Sequence, residues 1–85
     1  MMKTYRFRTE GTCSYEIELQ ISPDGTVHGV QYRGGCSGNT KAVGILSEGR
    51  TVTELISLLR GIRCGFKPTS CPDQLAKAIK EAQGE

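Results

Sequence analysis

The residues of this chain whose types most clearly point to chemistry are its four cysteines, Cys13, Cys36, Cys64 and Cys71. Thiolate is a soft ligand that binds zinc or the iron of iron–sulfur clusters. Four thiolates complete a tetrahedral structural zinc site and leave no open position for catalysis. We therefore predict that the four cysteines bind one metal ion, with zinc favoured over an iron–sulfur cluster.

The cysteine spacing leaves other roles open. Cys64 and Cys71 are seven positions apart, which is wider than the gap of about two to four residues in common zinc ribbons. Cys71 lies at the start of a predicted helix, whose dipole stabilises a thiolate, so Cys64 and Cys71 can instead form an exchanging redox pair. Cysteine is also among the most buried residue types, and some of the four can be plain core side chains.

A second candidate site is the glycine-rich segment before the first predicted helix. Amides at a helix N-terminus bind anions, which makes the following residues candidate phosphate ligands: Gly35, Ser37, Gly38, Asn39 and Thr40. The segment lacks the lysine of a P-loop. Phosphate or nucleotide binding is therefore an alternative to the metal site, not the leading prediction.

No residue is assigned a catalytic role. His28 is the only histidine, and its position in an alternating strand favours a surface or packed side chain. Asp73 falls in the first turn of a predicted helix, where a carboxylate complements the helix dipole. The sequence offers neither paired carboxylates for acid–base chemistry nor an aromatic platform for bases. We expect no enzymatic activity from this chain on its own.

The first third of the sequence alternates with the period of strands. Apolar residues at every second position of 15–21 predict a half-buried strand. Shorter apolar runs that start at Tyr5 and Val27 predict one strand on each side of it. Pro23-Asp24-Gly25 predicts a turn, because proline presets φ and glycine supplies a positive φ. Together these elements form a three-stranded antiparallel meander.

Helical spacing follows the glycine-rich segment. One helix is predicted from Asn39 or Thr40 to a stop at Gly49. A second starts at the capping box Thr51–Glu54, and a third starts around Pro72. The sequence therefore predicts an α+β fold, a three-stranded antiparallel sheet followed by three short helices packed on one face. Each cysteine lies at a boundary between elements, and such boundaries can meet at one end of the sheet.

Length and composition limit the classes of protein. The 85 residues are predicted to form one domain, 1–85. Its hydrophobic core is thin, and this favours an added stabilising cross-link such as a bound metal. The net charge of +2 is too small to predict nucleic-acid binding. The N-terminus has no apolar signal region and no segment is long enough to span a membrane, so a reducing, cytoplasmic location is expected. An unpaired edge strand of a small sheet can pair with a second copy of the chain, so a homodimer is an alternative to a monomer.

Three motifs resemble the TSCPD domain, a family of small four-cysteine bacterial proteins. The resemblance runs from about Cys13 to Ala78, and its motifs are Gly34-Gly35-Cys36-Ser37-Gly38-Asn39, Gly61-Ile62-Arg63-Cys64-Gly65 and Thr69-Ser70-Cys71-Pro72-Asp73. A similar domain occurs toward the C-terminus of vitamin B12-dependent ribonucleotide reductases. The resemblance implies an accessory module, either metal-binding or dithiol, with a ribonucleotide reductase or another protein as its partner.

Overall fold

The computed structural model describes residues 2–9, 11, 14–34, 37–63 and 69–83. Its elements follow one another as β1 (Lys3–Arg8), β2 (Ser14–Ile21), β3 (Val27–Gly34), α1 (Ser37–Ser47), α2 (Val52–Leu59) and α3 (Cys71–Ala82). The strands form an antiparallel sheet in the order β1-β2-β3. The predicted α+β architecture, a three-stranded sheet followed by three helices, is confirmed.

The core lies between the sheet and α3. Ile17 and Leu19 on β2 are fully buried, as are Leu75 and Ile79 on α3. Strand side chains alternate between the two faces, so a period-two apolar pattern gives one buried face. Tyr15 departs from the pattern, with 62% of its surface exposed. It lies where the pairing of β2 with β3 shifts register, which removes it from the buried row.

Strand β3 contains a bulge at Gly29. Val27 and Val30 are both buried although they are three positions apart, which would place them on opposite faces of a regular strand. The register shifts opposite Gly29, whose φ is 61°, and one extra residue restores both valines to the core. Glu48 accepts a 3.0 Å bond from the Gly29 amide and pairs with Nδ1 of His28. His28, which was predicted to be a surface or packed side chain, therefore has a partner just after the end of α1.

Helix α1 differs in two respects from the sequence prediction. It begins at Ser37, two or three residues before the predicted start at Asn39 or Thr40. Of its large apolar residues, Val43 packs against the core, whereas Ile45 and Leu46 are 66% and 65% exposed. The helix approaches β3 at Gly44, and its buried residues are Thr40 and Ser47 rather than Ile45 and Leu46, so most of its apolar stripe stays in solvent.

The closest approach of α1 to β3 occurs at Gly44. A Cβ added there would lie 2.8 Å from the backbone oxygen of Val30, whereas one added at Gly38 on the same helix would meet no described atom within 4 Å. We expect Gly44→Ala to lower the free energy of unfolding by about 1–2 kcal/mol, because overpacking exceeds the gain in helix propensity. The matched Gly38→Ala variant should be neutral or slightly stabilising. Chemical denaturation measures both, and equal stabilities would contradict this packing.

Helix α2 begins as predicted, with Thr51 as its N-cap. The Thr51 side chain accepts a 3.1 Å bond from the Glu54 amide. The Glu54 carboxylate does not complete the capping box, because it pairs with Arg50 at 2.9 Å. None of the helices in the described ranges is long and apolar enough to cross a membrane.

Candidate functional site

The segment 69–73 forms the start of α3. Ser70 is the N-cap, and its Oγ accepts a 3.1 Å bond from the Asp73 amide. The same hydroxyl donates a 2.6 Å bond to the carbonyl of Ile62. Cys71 follows as the first helical residue and is 8% exposed. One serine therefore both starts the helix and fixes the chain that leaves α2.

Asp73 makes a second connection between the same two segments. One of its carboxylate oxygens accepts a 2.6 Å bond from the Gly61 amide, and the other accepts a 2.5 Å bond from Oγ1 of Thr69. Gln74 donates a 2.9 Å bond to that Thr69 oxygen. Thr69, Asp73 and Gln74 are all buried. Asp73, which was predicted to complement the dipole at the start of the helix, thus belongs to a larger buried cluster of hydrogen bonds.

The carboxyl group of Asp73 is ionised in the folded protein. Burial raises its pKa, but the bonds from Thr69 and Gly61, together with the charge of Lys77, lower the pKa by more. The ammonium of Lys77 lies 3.9 Å from the carboxylate. The result is a buried anion that is held mainly by short hydrogen bonds, in the first turn of a helix where the dipole favours negative charge.

Tyr32 connects the sheet to the same helix start. Its hydroxyl donates a 2.8 Å bond to the carbonyl of Cys71. Burial, and to a lesser extent the nearby Cys71, raise the pKa of Tyr32, so the phenol stays protonated and remains a donor. The peptide unit of Cys71 is therefore fixed from β3 as well as from the helix.

Cys13, Cys36 and Cys64 lie outside the described residues, but the structure describes residues close to each of them in sequence. A Cβ at Gly11 would lie 3.1 Å from Cγ2 of Thr69, so the chain just before Cys13 reaches the start of α3. Ser14, just after Cys13, is paired with Gly34, just before Cys36. Ile62, just before Cys64, accepts the bond from Ser70. Residues near Cys13 and Cys64 thus contact the start of α3, where Cys71 lies, and the strand that leads toward Cys36 is paired with the residue after Cys13.

The described residues contain no group of three or more histidine, cysteine, aspartate or glutamate side chains that could hold a metal ion. Of the four predicted ligands, these ranges include Cys71 alone. Zinc binding by Cys13, Cys36, Cys64 and Cys71 therefore stays a prediction.

Most of the predicted phosphate ligands lie in the first turn of α1. Gly35 is outside the described ranges, and residues 37–40 are helical. A groove of about 850 Å³ between α1 and β3 passes Thr40 and Lys41, with Tyr32 and Ile45 also in its wall. Among the described residues of the groove wall, Lys41 is the one cation beside the helix start. Phosphate binding there stays a prediction.

The arrangement defines a small α+β module in which hydrogen bonds around the start of α3 hold the chain that leaves α2. The TSCPD domain family model matches residues 2–83. The chain therefore belongs to the TSCPD domain family, as its three motifs predicted. Searches of curated proteins and of solved structures gave no match.

Proposed function

We propose that this chain is an accessory metal-binding module in which Cys13, Cys36, Cys64 and Cys71 bind one zinc ion. The observation that supports the proposal is that Gly11 and Ile62, each two positions before another cysteine, contact the segment that contains Cys71, while Gly34, two positions before Cys36, is paired with Ser14. A Cys₄ site binds zinc without an open coordination position, so the ion would have a structural role and no catalysis would follow.

The hydrogen bonds of residues 69–73 fit such a site. Ser70 fixes the carbonyl of Ile62 and Asp73 fixes the amide of Gly61, two and three positions before Cys64. The same residues start the helix in which Cys71 stands first. Side chains that orient metal ligands from outside the coordination shell typically contribute about 10- to 100-fold to affinity. Thr69, Ser70 and Asp73 would act in this way, as positioning residues rather than ligands.

The small size of the protein explains why a bound ion would stabilise it. Domains of about 85 residues have thin cores and often require a staple. A metal bound only by the folded state adds its binding free energy to the free energy of folding. Zinc would cross-link the chain at one end of the sheet, near the ends of β1, β2, β3 and α2 and the start of α3. This cross-link would keep the surface of the module rigid for a partner.

Native mass spectrometry of the chain, purified under reducing conditions, tests the proposal. We expect the mass of one zinc ion per chain, and loss of the folded charge-state distribution when a chelator removes the ion. A folded chain that takes up no zinc would overturn the proposal. A metal-free chain that loses two mass units on mild oxidation would instead support the redox pair of Cys64 and Cys71.

A further inference from the structure

The imidazole of His28 connects two parts of the chain that are far apart in sequence. The side chain extends from β3 and is partly buried, with 25% of its surface exposed. Nδ1 contacts the carboxylate of Glu48, just after the end of α1, and Nε2 lies 2.8 Å from Oγ1 of Thr26. Thr26 belongs to the β2–β3 turn, residues 22–26. One ring therefore bridges the end of α1 and this turn.

The hydroxyl hydrogen of Thr26 is already used within the turn. Oγ1 of Thr26 lies 2.7 Å from Oδ1 of Asp24, and the Thr26 amide donates a 3.1 Å bond to the same carboxylate oxygen. Bonds from Ser22 and then from Thr26 lower the pKa of Asp24 to about 2. Because an ionised carboxylate only accepts hydrogen bonds, the hydrogen between the two oxygens comes from Thr26. The Ser22 hydroxyl contacts Asp24 and lies 2.6 Å from Oγ1 of Thr26, so its hydrogen also stays within the turn.

Both ring nitrogens of His28 must therefore donate. Nε2 meets the oxygen of Thr26, whose own hydrogen points to Asp24. Nδ1 meets Glu48, whose pKa is lowered by bonds from the Gly29 amide and then from His28, so this carboxylate is also only an acceptor. A ring that donates from both nitrogens carries two protons and a positive charge.

The charges around the ring favour this protonated form. Two carboxylates face it, Glu48 directly and Asp24 through one hydroxyl. The residues paired in line with it across the sheet, Gln20 on β2 and Thr4 on β1, are uncharged. Arg50, the cation that follows Glu48 in sequence, is paired instead with a carboxylate of α2 at 2.9 Å.

We propose that His28 forms a pH-sensitive connection between the end of α1 and the β2–β3 turn, which is complete when the ring carries two protons and is broken at Thr26 when it loses one. Histidine changes charge between about pH 5 and 8. When the ring releases a proton to water, the bond to Glu48 should retain Nδ1–H, because charge-assisted hydrogen bonds are the stronger ones. Nε2 then has no proton, and the single hydroxyl hydrogen of Thr26 cannot serve both Nε2 and Asp24.

The sign of the pH dependence follows from this arrangement. Both carboxylates stay ionised while the ring titrates, because the pKa of each is lowered. The contribution of the connection to stability is therefore present when the ring is charged and is lost as pH rises through the titration of the ring. Gly29 and Glu48 lie in the wall of the groove between α1 and β3, so protonation of the ring also changes the charge beside that groove. None of these residues is a proposed metal ligand, so the inference does not depend on zinc.

Nitrogen-15 NMR of the imidazole tests the proposal, because His28 is the only histidine of the chain. At the acid end of the titration, both ring nitrogens should give the signals of a doubly protonated ring. At the alkaline end, the remaining proton should be on Nδ1. The signals of Thr26 and of the Asp24 carboxylate should shift with the same midpoint as the ring, because the Thr26 hydroxyl changes its acceptor.

The variant Thr26→Val separates the proposed connection from a simple ion pair. It retains a branched side chain of similar size but has no oxygen to accept from Nε2. His28 should still pair with Glu48, whereas its titration should no longer shift the Asp24 signals. The control Thr53→Val removes an exposed hydroxyl from α2 and should leave the titration as it is in the parent.

The size of the effect is measured by comparing the parent with His28→Gln, whose side chain does not titrate. As pH rises from about 5 to about 8, the folding equilibrium constant of the parent should fall relative to that of the variant by about two- to fivefold, the contribution of a partly exposed ion pair. Denaturant unfolding at each pH gives both constants.

Three results would overturn the proposal. They are a neutral ring with its proton on Nε2, Asp24 signals that ignore the ring titration in the parent or still follow it in Thr26→Val, and a difference in stability between the parent and His28→Gln that does not change with pH. Amide spectra of each variant establish that it is folded, so a lost connection is not confused with a lost structure.

Discussion

Replacing any one of the four cysteines by serine is expected to release the zinc and to lower the free energy of unfolding by more than about 4 kcal/mol. The loss is large because an ion bound only by the folded state contributes its binding free energy to folding. Cys13, Cys36, Cys64 and Cys71 should give similar losses, since removing any one ligand opens the same coordination shell. Zinc content and denaturant unfolding, measured on each variant, test this expectation.

The pattern across the four positions distinguishes the proposed site from its alternatives. A redox pair would make only Cys64 and Cys71 important for thiol chemistry, and neither Cys13 nor Cys36 would affect stability through a metal. Plain core cysteines would tolerate alanine better than serine, because serine leaves a buried hydroxyl to be satisfied. If the cysteines are metal ligands, replacement by alanine and replacement by serine should lower zinc content and the free energy of unfolding equally. Unequal effects that depend on position would contradict a shared site.

Replacing Asp73 by alanine is expected to lower the free energy of unfolding by about 2–3 kcal/mol. The variant leaves the Gly61 amide and the buried Thr69 hydroxyl without their acceptor and removes a charge from the first turn of α3. Asp73→Asn should cost about 1 kcal/mol, because an amide oxygen still accepts from Gly61. Glu81→Ala, which removes an exposed carboxylate from the same helix, should change stability by less than about 0.5 kcal/mol.

The effect of Asp73 should depend on pH. The folded protein lowers the pKa of this carboxyl, so the stabilisation is fully present above the unfolded pKa of about 3.9. It is lost as pH falls through the lower folded value. The stability difference between the parent and Asp73→Asn, measured by denaturation from neutral to acid pH, should therefore shrink below about pH 4. A difference that stays constant into acid would contradict an ionised Asp73.

Asp73 should also affect the metal site. It fixes Gly61, three positions before Cys64, so its loss leaves that segment less well ordered for ligation. We expect Asp73→Ala to weaken zinc binding by about 10- to 100-fold, as measured by competition with a chelator of known affinity. Unchanged zinc affinity in a destabilised variant would mean that the cluster supports the fold alone.

Local patterns in the sequence predicted most of the fold. The alternation at Ile17 and Leu19, the turn before Val27 and the cap at Thr51 each depend on neighbours in sequence, and each is present in the structure. The start of α1 was missed, because the glycines before it favour a loop. The bulge at Gly29 was also missed. The spacing of Val27 and Val30 was its signal, since two core residues three positions apart on one strand require an inserted residue.

The candidate site was only partly predictable. Ser70 and Asp73 have the spacing of an N-terminal cap, and this signal was available in the sequence. The bond from Gly61 to Asp73 spans 12 positions, and no local pattern predicts contacts of that range. The Tyr32–Cys71 bond spans 39 positions and is likewise a product of tertiary packing. Sequence identified the cysteines, whereas the structure revealed the hydrogen bonds that hold Gly61 and Ile62, which precede Cys64, against the start of α3.

X-ray absorption at the zinc edge of the zinc-loaded chain tests the central claim most directly, because it counts the atoms bound to the metal. We expect four sulfur neighbours at about 2.3 Å and no nitrogen or oxygen in the first shell. A shell that contains nitrogen or oxygen, or fewer than four sulfurs, would contradict a site made by all four cysteines.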